Sequence, residues 1–92
     1  PISKVYAYDP LGNLNSTSKK YVIGAEGCLW TEYMKSPAKV EYMLFPRLAA
    51  LSEVFWTTPK NKNYNNFVHR LTTQVDRYKL WKINYCIKYT TE

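Results

Sequence analysis

In the stretch GAEGCLWTEYM, Trp30 and Glu32 set an aromatic plane two positions from a carboxylate. Side chains at i and i+2 of an extended strand leave the same face, so Glu26, Cys28, Trp30 and Glu32 form one row. At the usual rise per residue Trp30 and Glu32 stand roughly 6.6 Å apart, about the span of one pyranose ring. An indole covers the C–H face of such a ring, and a carboxylate accepts hydrogen bonds from its hydroxyls. The competing reading is plainer: tryptophan is mostly buried in any fold, and Glu32 then only opens the next turn. Glu26 pulls against it, because a carboxylate midway along a buried strand needs a partner, and polar interiors often belong to sites.

A strand has to hold that row. YVIGAEGCLW is apolar on both faces and β-branched at first, which predicts a last strand over residues 21–32, buried between helices as in a parallel sheet. Gly24 and Gly27 weaken it and imply that a backbone or a ligand comes close. Residues 1–20 read as a loop: KVYAY alternates weakly, stops at Asp9-Pro10, and is followed by the turn pairs Gly12-Asn13 and Asn15-Ser16.

Downstream, Ser36-Pro37 pairs an N-cap with proline at the first helical position, predicting a helix over 36–56. Val40, Met43, Leu44, Leu48, Leu51 and Phe55 give it an apolar stripe. Pro46 clashes with the carbonyl of Tyr42, so a sharp kink or two abutting helices are expected there. TTPKNKN is a polar linker. Asn63 caps a second long helix over 63–83, with Phe67, Leu71, Val75 and Tyr78 on one face and Trp81 near its end. NYCIKY reads as a short extended tail.

The bulk numbers bound what these elements build. The 92 residues make at most one small domain, and a fold of this size buries only about 60% of its unfolded surface. A hydrophobic content of 46% excludes a disordered tail. No apolar run approaches the roughly 20 residues that cross a bilayer. The chain opens on Pro1 without a charged-then-apolar leader, and reads as an excised or processed piece. Cys28 and Cys86 have no metal-ligand spacing and read as thiols rather than a disulfide framework. The net charge of +6 raises an alternative, a small basic module for nucleic acid. The cations form no run longer than two, which favours solvated helix faces.

GAEGCLWTEYM, then VEYMLFPRLAALSEVFWT and NFVHRL, together with KVYAYDP, resemble the β-N-acetylhexosaminidases, the family-twenty glycoside hydrolases. The similarity runs from about Lys4 to Tyr85. It implies an α/β fold: the C-terminal piece of a (β/α)8 TIM barrel, last strand plus following helices, mostly helical as a fragment. Barrel sites lie at the C-terminal ends of the strands, where Trp30 and Glu32 fall. The resemblance makes Trp30 the floor of a pocket for a terminal N-acetylhexosamine and Glu32 the acceptor for its outer hydroxyls, chiefly O4. It also implies substrate-assisted retaining hydrolysis, in which the acetamido oxygen attacks the anomeric carbon beside an Asp-Glu pair.

No two of the carboxylates here are adjacent, so that pair is absent and no catalytic residue is assigned in this chain. Glu26 and Cys28 stand where the family often carries glutamine and asparagine, so no role carries over to them. Arg47 and Glu53, which match family positions on the helix, are each expected to take a structural ion-pairing role rather than a catalytic one, Trp56, Trp81 and Tyr85 to pack in the core or at helix ends, and His69 to serve as neither metal ligand nor base. No cofactor or metal is expected. The implied partners are N-acetylhexosamine-terminated glycans and the remainder of the barrel, with self-association of the isolated piece, and no nucleic acid or membrane. The compartment is unknown from the residues and extracytoplasmic by resemblance. A non-catalytic sugar-binding relative remains a further alternative.

Overall fold

The computed structural model describes residues 1–91. Its elements are helices: α1 (Ile2–Tyr6), α2 (Ser16–Lys19), α3 (Pro37–Leu44), α4 (Arg47–Trp56) and α5 (Tyr64–Leu80), with a single 3-10 turn at Pro59–Asn61.

Local chemistry sets the ends of the longer helices. The Ser36 hydroxyl accepts from the Lys39 N–H at 3.2 Å, with Pro37 at the first helical position. The Asn63 side chain likewise accepts from the Asn66 N–H at 3.0 Å at the start of α5. At the junction the chain divides into two helices, since Pro46 has no N–H to continue the ladder. The last turn of α5 closes with Lys82 in the left-handed region at φ 57°, the Ile83 N–H reaching back to the Tyr78 carbonyl at 2.9 Å.

Phe67, Leu71, Val75 and Tyr78 recur at three- and four-residue steps along α5 and are all buried. They meet Ala50 and Val54 of α4 and Ile2 and Tyr6 of α1 in one core. Tyr6 stacks on Phe67 with centroids 4.9 Å apart, and Tyr78 tilts against Phe45 and Tyr85. The tail belongs to this core. Cys86 is buried and its N–H donates to the Phe45 carbonyl, while Asn84 donates its N–H to Glu41 and its side-chain amide to the Ala38 carbonyl.

Three expectations are corrected. Residues 1–20 are not simply a loop, because Ile2 and Tyr6, one helical turn apart, both bury against α4 and shape the stretch into α1. The strand over 21–32 does not form: among the described residues there is no strand, and residues 22–31 run without regular structure. A strand exists only by hydrogen bonding to a neighbour, and no second extended segment lies beside this one. Trp56 and Trp81 are 90% and 59% exposed rather than packed.

Candidate functional site

The candidate row lies on the segment that runs beside α4. A cleft of about 600 Å³ is bounded by Glu26 to Leu29 on one side and by Met43, Leu48 and Leu51 on the other. A second, of about 500 Å³, lies between Val22 to Ala25 and the Phe55–Thr57 end of α4. Gly27 lines the first of these, and a methyl group built on its α-carbon would collide with Leu51 Cδ2. The close approach expected at the glycines thus occurs at Gly27, against a helix side chain, and Gly24 faces open space.

Alternation within the segment is partly visible. Gly27 faces α4, while the Cys28 thiol donates across to Glu26 Oε1 at 3.8 Å, so residues 26 and 28 share a side. Trp30 and Glu32 continue that parity, but beyond Trp30 the backbone bends into a turn, the Met34 N–H donating to the Thr31 carbonyl at 3.0 Å. Trp30 is 76% exposed, Glu32 is exposed, and neither lines either of the two clefts. Both side chains are therefore open to solvent in this structure.

The polar cluster that the structure does assemble lies elsewhere and knits helices together. Glu53 of α4 accepts from Arg70 Nη2 of α5 at 2.9 Å and forms an ion pair through Nη1 with its other oxygen. It also accepts from the Tyr6 hydroxyl of α1 at 2.8 Å, and that hydroxyl takes the Asn63 N–H at 3.0 Å. The Arg70 guanidinium holds the Glu53 carboxyl below its ordinary value; burial pushes the other way, and the Tyr6 hydroxyl adds to the lowering. Tyr6 is raised, chiefly by burial and then by its bond to Glu53. Burial likewise raises Tyr78.

Glu53 thus takes a structural role, whereas Arg47 turns back to donate to the Met43 carbonyl at 3.2 Å. Sequence reading missed Tyr6 and Arg70 as its partners. The available signal was position: Arg70 follows Phe67 by three residues and so borders the buried stripe of α5. Cys28 is exposed and Cys86 buried, with no disulfide between them, and no cluster of metal-ligating side chains occurs among the described residues.

The backbone thus carries an aromatic-carboxylate pair at the open end of an extended segment backed by α4. Residues 1–59, from α1 through α4 to the start of the 3-10 turn, match the model of the glycosyl hydrolase family 20 catalytic domain. The chain belongs to that family.

Its family 20 relatives include a β-hexosaminidase from Porphyromonas gingivalis, 38% identical over 88 residues, which are 95% of this chain and 11% of that protein. A β-N-acetylhexosaminidase from Cellulomonas fimi is 35% identical over 72% of this chain and 13% of its own length. Among solved structures, the family 20 exo-β-N-acetylglucosaminidase of Vibrio harveyi, in complex with N-acetylglucosamine, superposes with a TM-score of 0.83 at 31% identity. That match covers 92% of this chain and 14% of the Vibrio chain. The chain thus spans between a tenth and a seventh of the length of these relatives. The alternative of a basic nucleic-acid module finds no support among them.

Proposed function

We propose that this chain is the C-terminal part of the catalytic barrel of a β-N-acetylhexosaminidase, a glycosidase that removes terminal N-acetylhexosamine by substrate-assisted retaining hydrolysis. In this reading residues 21–32 are the last barrel strand, α3 and α4 pack outside it, and α1 precedes it. Trp30 forms the floor under the terminal sugar and Glu32 accepts from its outer hydroxyls. The Asp-Glu pair that orients the acetamide and protonates the leaving oxygen lies in another part of the protein, so the chain supplies binding and not the acid. Its partners are N-acetylhexosamine-terminated glycans and the rest of the barrel, in an extracytoplasmic compartment.

The observation that carries the reading is the exposed W-x-E pair at the end of a segment whose small Gly27 admits the Leu51 side chain of α4. That is the layering a barrel strand has against its outer helix, with the catalytic face at the strand's C-terminal end. It is supported by the Vibrio relative, whose structure holds N-acetylglucosamine. The missing strand pairing is what an edge awaiting its neighbours presents.

Enclosing an indole face against a sugar is worth about 1.5–3 kcal/mol, by analogy with one buried apolar side chain. A hydrogen bond to a charged carboxylate is worth about as much, 1.5–3 kcal/mol. In the complete protein Glu32→Gln therefore lowers kcat/KM on gluco- and galacto-configured N-acetylhexosaminides by about one to two decades, while leaving measurable turnover. Unchanged steady-state kinetics would remove Glu32 from the sugar site.

A further inference from the structure

We propose that Glu26 is a positioning residue of the sugar site, an inference that rests on the sugar-site reading: in the complete barrel its carboxylate fixes the register of residues 21–32, and so decides which side chains the pocket receives. Gly27 faces Leu51 of α4, whereas the Cys28 thiol donates to Glu26 Oε1, which puts residues 26 and 28 on the other side. In a barrel strand backed by α4, that other side is the interior. At the usual rise Glu26 stands roughly 13 Å below Trp30 and roughly 20 Å below Glu32, too deep to touch the sugar itself.

A carboxylate at that depth has to be answered. Glu26 is exposed in this chain, and in the complete barrel the neighbouring strands enclose it. One thiol is a weak donor and does not offset the loss of water around a buried acceptor. Glu26 therefore takes a hydrogen-bond-donating side chain from a neighbouring strand, and takes it in one register only.

The segment needs such a device. Gly24 and Gly27 deprive it of side-chain surface, and glycine-rich strands are the ones whose pairing slips most readily. A slip of one residue turns every side chain to the opposite face. Glu26 would then leave its donor unanswered in the interior, and Trp30 and Glu32, which share its parity, would leave the pocket together. A single buried polar pair is the best-attested means of excluding that alternative.

The test is steady-state kinetics of the complete protein on a chromogenic N-acetylglucosaminide. Glu26→Leu keeps the volume and removes the acceptor, and should lower kcat/KM about hundredfold; Glu26→Gln keeps an acceptor oxygen in place and should stay within about threefold. The deciding variant combines Glu26→Leu with Glu32→Gln. Once the register is lost Glu32 is already out of the pocket, so the pair should be no worse than Glu26→Leu alone, a coupling not expected between independent sites roughly 20 Å apart. If Glu26→Leu does not accumulate as folded protein, Glu26→Asp, which withdraws the acceptor by one methylene, enters the same cycle. Wild-type kinetics from Glu26→Leu, a Glu26→Gln as damaged as Glu26→Leu, or losses that multiply in the double variant would each overturn the proposal while Glu32→Gln still shows its own loss. An unchanged Glu32→Gln removes the sugar-site reading, and this inference with it.

Discussion

The two halves of this chain are ordered by different means. The half made of α1, α4, α5 and the tail buries its own apolar side chains, caps α5 with Asn63 and closes a polar network at Glu53. The segment from Tyr21 to Tyr33 carries an equally apolar sequence, yet leaves Tyr21, Ile23, Trp30 and Tyr33 between 73% and 101% exposed. Helices satisfy their backbone within the segment, whereas a strand satisfies it only across to another, and among the described residues this segment forms no strand. The candidate sugar-binding residues fall in the half that cannot organise itself.

The contrast is broken most directly by one substitution in each half. Phe67→Ala, which empties the centre of the core beneath Tyr6, should cost about 3–5 kcal/mol, a large share of what a domain this small has. Trp30→Ala in this chain should stay within about 0.5 kcal/mol, although tryptophan is the larger side chain. Denaturant midpoints of the two variants decide it, and similar losses would mean that the extended segment is packed after all.

The Glu53 network sharpens the comparison through pH. Because the folded carboxyl lies below its ordinary value, its contribution is complete above the unfolded value of about 4.3 and disappears as pH falls through the folded one. Arg70 is 53% exposed, so water screens the pair and about 1 kcal/mol is expected for Glu53→Gln at neutral pH. That difference should vanish on acidification in thermal melts at stepped pH. A Glu53→Gln deficit that persists in acid would assign its effect to packing.

A smaller gain is expected at the end of α5. Lys82 occupies the left-handed conformation that glycine adopts without strain, so Lys82→Gly should raise stability by up to about 1 kcal/mol, or about 4–8 °C in Tm. A lowered Tm would show that the lysine side chain makes a contact worth more than the backbone strain.

How far the sequence could be read follows the same division. Ser36-Pro37, Pro46 and Asn63 act through their immediate neighbours, and the buried stripe of α5 repeats within one helix, so these features are local and legible. What was illegible depends on distant residues. Ile2 and Tyr6 become helical because α4 offers them a surface, and Glu53 meets Arg70 across 17 positions and Tyr6 across 47. For the candidate site, the shared side of Glu26 and Cys28 follows from strand parity, and parity is local. The direction in which Trp30 and Glu32 point is not, because it needs the pairing neighbours that hold a strand flat through its end.

The Tyr6–Glu53 bond has a practical corollary. The first helix is joined to the others across space and not through the long excursion from Tyr8 to Met34, since Tyr6 reaches Glu53 and Asn63, and Ile2 reaches Tyr89. A protease that nicks the exposed excursion should therefore release no peptide: the short leading fragment stays clasped to the helical body, and the chain can be divided there and reassembled from two halves.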